Sequence, residues 1–329
     1  MFELILSLIV SSILTSVDLP QTESEFSIFP SSILESVLSD EDRGWQEGGD
    51  AIPSGRLPLS VDKMASPQKI NQDSLGVEVT AESGIVVDWD SGKILWVKNS
   101  NQLRSIASLT KLMTVLIFLE NNPGWDKEVV IIAADHREGG SAFLVTGEKV
   151  TVRDLFYLSL VRSVNCAAVA LVRSTGLSQE EFVGKMNQRA KELGMDSTTF
   201  IEPTGLHSGN ISTVQDLAIL FKEVLNNKAI GNATTLANYQ VNILNKEEFR
   251  TAKNTDWLLG GFLNKNPYKI FGGKTGYITE AGYCLGVGVE KENKHIISVI
   301  LGSDSIDNRF NDTKGIVDWV FRNYNWEGN

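Results

Sequence analysis

The 329-residue chain reads as an α+β fold, an antiparallel sheet packed with a mostly helical subdomain. Three observations point there. Short runs rich in Ile and Val stand at 85–97 and again at 283–301. Long apolar segments of helical length fill the middle, at 107–120, 154–173, 179–193 and 214–226. Strands at both ends with helices between them suggest one sheet whose first and last strands meet.

The elements follow in order. Residues 4–14, LILSLIVSSIL, form an apolar run too short for a comfortable membrane span, which needs roughly 20 residues. The run fits the core of a secretory signal, although MFE before it carries Glu3 and no Lys or Arg. Residues 1–17 are therefore read as a signal peptide or short anchor, with export to the periplasm or cell surface. The alternative is a stray apolar segment or a misplaced start codon. Residues 18–74 turn to Ser, Glu, Asp, Pro and Gly without apolar periodicity, the composition of a disordered tether. Residues 18–73 hold 11 acidic and 4 basic side chains and so supply −7 of the net −11. Order is expected from 75 to 329.

Within that unit, 85–87 and 94–97 read as strands around a turn at Asp90, Ser91 and Gly92. Residues 107–120 form a buried helix stopped by Asn121, Asn122, Pro123 and Gly124. Residues 154–173 are helical with an interruption around Ser163. An amphipathic helix over 179–193 ends at Gly194. Another over 214–226 has Ser212 and Thr213 as cap candidates. Strands at 283–289 and 295–301 and a helix over 315–323 close the chain.

The negative balance argues against a nucleic-acid partner, which needs a basic surface. Three histidines and two distant cysteines argue against a zinc site, so no metal is expected. Cys166 and Cys284 read as buried free thiols, with a disulfide between them as the alternative.

Three short motifs carry chemistry. In Ser108-Leu109-Thr110-Lys111 the Ser and Lys are three apart, so a helix brings hydroxyl and amine onto one face. A serine hydroxyl is a weak nucleophile until a base takes its proton. A lysine serves as that base only if burial or a nearby cation lowers its pKa. Ile106, Leu109, Leu112 and Met113 offer the burial, and Lys274 is expected to add like-charge repulsion. In Ser163-Val164-Asn165, inside an apolar stretch, Ser and Asn two apart can point into one cleft. Ser163 is then a proton relay, and Asn165 a holder of Lys111 and of a substrate amide. In Lys274-Thr275-Gly276-Tyr277, glycines on both sides let a strand edge approach a ligand. Lys274 and Thr275 suit a substrate carboxylate. The amides of Ser108 and Tyr277 suit an oxyanion. Each motif alone is more often an ordinary cap, a polar kink or an exposed turn. The three in this order are the penicillin-binding-protein and serine β-lactamase set.

With its flanks, RSIASLTKLMT, TVRDLFYLSLVRSVNCAAVAL, FVGKMNQRAKELGMDSTTFIEPTGL and GGKTGYITEAGYCLGVG, the chain resembles the low-molecular-mass D-alanyl-D-alanine carboxypeptidases over about residues 80–325. The resemblance implies the β-lactamase and penicillin-binding-protein transpeptidase fold. It implies that Ser108 attacks the bond between the terminal D-alanines of a peptidoglycan stem peptide, with Lys111 as base. Ser163 then protonates the leaving D-alanine, and Lys274 and Thr275 hold the carboxylate. β-Lactams are implied as inhibitors, and no metal or organic cofactor is needed. Many relatives add a C-terminal β-domain. Here the catalytic unit is expected to fill the chain to 329, which leaves the N-terminus for any membrane attachment. Two positions depart from the family pattern. Val164 replaces a glycine and removes backbone freedom, and Cys166 replaces an aspartate. Three alternatives remain: a DD-endopeptidase on cross-linked stem peptides, a class A-like β-lactamase using Glu202, and a cell-wall-binding protein without turnover.

Overall fold

A computed structural model describes residues 66–74, 76–139 and 143–326; the N-terminal apolar run and most of the expected tether lie outside them. The folded unit begins before the expected boundary at 74/75. β1 (Gln68–Lys69) pairs antiparallel with β13 (Tyr324–Asn325). The Lys69 amine donates to Ser74 O at 2.7 Å, and Trp319 Nε1 donates to Ser74 Oγ at 2.9 Å. A two-residue strand gains its order from these distant partners, which is why local composition suggested a tether there.

The first hairpin is β2 (Ser83–Asp88) and β3 (Ile94–Lys98), followed by β4 (Arg104–Ser105). The helical half holds α1 (Thr110–Glu120), β5 (Glu128–Val130), β6 (Lys149–Thr151), α2 (Val152–Val161), α3 (Asn165–Ser174), α4 (Gln179–Glu192), β7 (Ile211–Ser212), α5 (Val214–Asn226) and α6 (Lys228–Thr235). Then come the hairpin β8 (Asn238–Ile243) and β9 (Glu248–Lys253), the long strands β10 (Tyr268–Ile278), β11 (Gly282–Lys291) and β12 (Lys294–Ser303), and α7 (Ile306–Asn323).

The main sheet is antiparallel in the order β10-β11-β12-β2-β3, so the first and last long strands do meet, with Ile297 opposite Val87. Its strands are buried on both faces, which explains their near-continuous apolar runs. The two faces separate by the two-residue period of a strand. Ile85, Val87, Ile297 and Val299 join the core shared with the helical half, whereas Val86, Leu285, Val287, Ile296 and Ile300 pack with Phe310, Ile316 and Val320 of α7.

The helices start where their caps dictate. Thr151 and Asp154 form a reciprocal capping box on α2, and Ser178 and Glu181 form one on α4. Thr213, not Ser212, caps α5 through the Asp216 amide. α7 starts nine residues before the expected 315, because the Ser305 side chain accepts from Asn308 N and opens the helix there. The hairpin of β8 and β9, and α6 before it, had no clear apolar period. Both cysteines are buried and free. No helix among the described residues is long and apolar enough to cross a membrane.

Candidate active site

Ser108 sits in a single 3-10 turn, Ala107–Leu109, that runs directly into α1. Ala107 holds a left-handed backbone, φ 46°, just before it. A non-glycine residue keeps that conformation only when its surroundings enforce it. Two glycines do so. Gly205 has φ 83°, and a Cβ on it would overlap the Ala107 carbonyl. A Cβ on Gly276 would lie 3.0 Å from Ser108 N and 3.1 Å from Ile106 O. The loop after Glu202 and the β10 strand therefore close on the nucleophile's backbone from two sides, at distances only glycine permits.

The three-residue spacing of Ser108 and Lys111 brings their side chains to 2.9 Å. Lys111 is fully buried, and its nitrogen has two further neighbours, Asn165 Oδ1 at 2.7 Å and Thr204 O at 2.6 Å. Both of those are acceptors. They take the two hydrogens of a neutral amine, which leaves its lone pair aimed at the Ser108 hydroxyl. Burial lowers the Lys111 pKa to about 7, opposed by the charge of Glu202. Repulsion from Lys274, expected to lower Lys111, instead shows on Lys274. That amine is held well below its ordinary value by burial first, then by Lys111 and Arg309.

The interruption in 154–173 falls between α2 and α3, and Ser163 lies in it with φ 60°. The kink turns the Ser163 hydroxyl to Lys274 Nζ, which donates to it at 2.8 Å. Asn165 opens α3 and spans the cleft, holding Lys111 through Oδ1 while Nδ2 donates to Gly139 O at 3.3 Å. Val164 adopts an ordinary extended backbone, φ −67° and ψ 117°, and is buried. The expected loss of backbone freedom at Val164 is therefore no handicap, since the left-handed residue is Ser163. Cys166 packs into the core one position after Asn165, and burial raises its thiol pKa.

β10 is an edge strand of the sheet and carries Lys274, Thr275, Gly276 and Tyr277 along the nucleophile. Lys274 Nζ also donates to Thr275 O at 2.8 Å. Tyr277 is half exposed and stacks on Tyr283 at 4.4 Å.

Four supporting residues escaped the sequence reading. The Thr204 carbonyl holds Lys111. Thr255 Oγ1 lies 2.6 Å from Thr275 Oγ1. Asp256 is buried behind Gly273, and burial raises its pKa to about 6 against the pull of the Leu258 amide, Arg309 and Lys274. Arg309, on the first turn of α7, is buried and donates to Gly276 O at 3.2 Å. Thr204 stands inside the quoted IEPTGL flank, but nothing there marks its carbonyl. Arg309 was invisible because its helix was expected to start after it.

Glu202 bears on the β-lactamase alternative. One carboxylate oxygen accepts from Thr204 N and Thr204 Oγ1, both at 2.6 Å; the other accepts from Gly205 N and from Asn210 Nδ2 at 3.2 Å. Both oxygens are engaged in shaping the loop that presents the Thr204 carbonyl to Lys111. A water-activating base needs a free acceptor, so this geometry assigns Glu202 to scaffolding.

Comparison with known proteins gives a consistent picture. The chain is 35% identical over 258 residues to the D-alanyl-D-alanine carboxypeptidase DacF of Bacillus subtilis, covering 74% of this chain and 63% of that relative's length. It is 35% identical over 207 residues to a D-alanyl-D-alanine endopeptidase of Haemophilus influenzae, covering 62% of this chain and 69% of the other. Among solved structures it resembles penicillin-binding protein D2 of Listeria monocytogenes in its cefotaxime-bound form, at 29% identity and TM-score 0.66 over 75% of this chain and all of that one. It also resembles the Streptomyces K15 DD-transpeptidase, at 28% identity and TM-score 0.68 over 76% of this chain and all of that one. These neighbours share the expected penicillin-binding-protein fold. Because the family model for D-alanyl-D-alanine carboxypeptidases matches residues 67–305, reaching from β1 through every motif residue, the chain belongs to the D-alanyl-D-alanine carboxypeptidase family.

Proposed function

We propose that this chain is a serine-type D-Ala-D-Ala carboxypeptidase that trims the terminal D-alanine of peptidoglycan stem peptides, exported to the cell wall. The observation that carries the reading is the setting of Lys111: buried, held by two acceptors, with Ser108 Oγ 2.9 Å from its nitrogen. Ser108 Oγ attacks the carbonyl between the two D-alanines, and Lys111 Nζ takes its proton. The amides of Ser108 and Tyr277 receive the oxyanion. As the C–N bond breaks, the Ser163 hydroxyl protonates the departing amine and is replenished through the adjoining Lys274 amine, which takes up the proton held on Lys111 and so returns Lys111 to the neutral form. The net transfer is one proton from Ser108 to the leaving nitrogen through this buried network. Water then attacks the ester with neutral Lys111 as base.

The terminal carboxylate has a matching anchor. Lys274, Thr275 and Arg309 converge with Asp256 as the one opposing carboxylate, and Arg309 Nε has no partner among the described residues. A substrate carboxylate would balance that excess positive charge. β-Lactams mimic the same bond and carry a carboxylate, which fits acylation of Ser108 by them. The test is release of free D-alanine from a stem pentapeptide by wild type beside Ser108→Ala, with fluorescent penicillin labelling of both. Wild type should do both, and the variant neither. A wild type that never labels and never releases D-alanine would favour a wall-binding role instead.

A further inference from the structure

No step of D-alanine release uses Asp256, yet it lies against the strand that carries the carboxylate anchor. Its own turn fixes one carboxylate oxygen. Asn254 Oδ1 accepts from Asp256 N at 2.9 Å, and Asp256 Oδ1 accepts from Leu258 N at 2.9 Å, which opens the 3-10 turn Trp257–Gly260. The other oxygen, Oδ2, is buried and has no hydrogen-bond partner among the described residues. Gly273 makes the space for it, since a Cβ there would lie 2.9 Å from Oδ2. The oxygen thus rests on the β10 backbone one residue before Lys274. The turn is also pinned to α7: Trp257 stacks on Phe310 at 5.2 Å and 21°, so the residues that follow Asp256 and Arg309 lie face to face. Arg309 Nε is likewise buried without a partner among the described residues, so neither orphaned atom bonds the other. Asp256 and Arg309 are 3% and 6% exposed, and water screens their attraction little. A buried carboxylate oxygen left unpaired costs stability and calls for a reason. The cap does not supply one, because asparagine caps a helix as well as aspartate does. What only aspartate brings is the charge.

We propose that Asp256 is a specificity-determining positioning residue. Its negative charge offsets part of the positive charge of Arg309 and Lys274, and so sets how strongly the site favours a substrate ending in a free carboxylate over one ending in a neutral group. The proposal rests on the carboxypeptidase reading above and concerns the same site. No bond forms or breaks at Asp256. It competes with the substrate carboxylate for the same cations, so the anchor is weaker when Asp256 is ionised and stronger when it is protonated. The groups that face it are the Leu258 amide on its own turn, Arg309 on α7 and Lys274 on β10, and Lys111 acts in turn on Lys274. All three oppose the burial that pushes its carboxyl up to about 6. The charge is therefore present at pH 8 and mostly gone at pH 5.5, and the preference for a carboxylate should grow as pH falls through 6.

The test measures kcat/KM for wild type and Asp256→Asn on two substrates at pH 8 and pH 5.5. One is a stem pentapeptide ending in D-alanine. The other is a phenyl ester of the same acyl chain, whose leaving group carries no carboxylate. Asparagine keeps the cap and the shape and removes only the charge. The ratio of the two kcat/KM values cancels the titration of Lys111, which both substrates share. At pH 8 the pentapeptide-to-ester ratio should be about tenfold higher in Asp256→Asn than in wild type. At pH 5.5 the two proteins should agree within about twofold. Equal ratios at pH 8, or a gap of the same size at both pH values, would overturn the proposal. If the thermal midpoint shows the variant to be unfolded, wild type alone decides. Its ratio should rise about fivefold from pH 8 to pH 5.5, and a flat ratio sinks the idea. A wild type that releases D-alanine while its ratio ignores both pH and the variant leaves the carboxypeptidase reading standing and removes only the role of Asp256. If wild type releases no D-alanine, the carboxypeptidase reading itself fails and takes the proposal with it.

Discussion

The pH dependence of acylation tests the central pair directly. Lys111 acts as base only when neutral, and burial places its pKa at about 7. At pH 6 about a tenth of the molecules carry the neutral amine, and at pH 8 about nine tenths do. The second-order rate of penicillin acylation should therefore rise roughly tenfold from pH 6 to pH 8 and level off above. An ordinary lysine near pH 10.5 would be neutral in well under a thousandth of molecules at pH 7. Burial thus raises the active fraction by about three orders of magnitude, on the order of 5 kcal/mol. Stopped-flow fluorescence with a labelled penicillin across pH 5.5–10 reads the inflection. A flat profile over that range, or an inflection above pH 9, would refute the assignment of neutral Lys111 as the base. Lys111→Arg keeps the positive charge but cannot give up its proton, so it should lose about 10³-fold or more in acylation at every pH.

Other outcomes follow from the same geometry. Asn165→Asp places a carboxylate where Oδ1 now sits 2.7 Å from the Lys111 nitrogen. That charge favours the ammonium, so the acylation profile should shift to higher pH by a unit or more. The lowered pKa of Lys111 also opposes folding: below pH 7 the folded state must bury an ammonium or neutralise it. That cost is fully present below the folded pKa and disappears as pH rises past the unfolded value near 10.5. Lys111→Met should therefore raise the thermal midpoint relative to wild type at pH 6, with the advantage shrinking by pH 10, as calorimetry can show. Gly205→Ala would drive a methyl into the Ala107 carbonyl at a left-handed backbone position. It should cost about 2–4 kcal/mol in denaturant unfolding and abolish penicillin labelling. Cys166 and Cys284 are buried, and burial raises both thiols, Cys284 to about 11. A thiol reagent should find neither in the native protein and both after unfolding.

What the sequence by itself determined is local. The spacing of Ser108 and Lys111 is one helical turn, so their contact follows from the helix alone. The break at Ser163 and the glycines around Lys274 were equally legible, as were the apolar runs that become both faces of the sheet. Residues far apart in the chain were decided by tertiary structure. Asn165 meets Lys111 from 54 positions away, Thr204 from 93, and Lys274 meets Ser163 from 111. The motifs placed Asn165 beside Lys111, but they did not pair Lys274 with Ser163, and they missed Thr204, Asp256 and Arg309. A backbone carbonyl such as that of Thr204 has no residue type to betray it. Asp256 and Arg309 become part of the site only because α7 packs on the sheet beneath β11 and the 254–256 turn tucks behind β10. The same holds for the cleft lined by Arg162, Asn238, Lys253, Trp257 and Arg309, whose walls come from four separate segments of the chain. Chemistry that depends on one turn of helix is written in the spacing of residues. Chemistry that depends on charge converging at a buried point exists only after packing has excluded the water and set the distances.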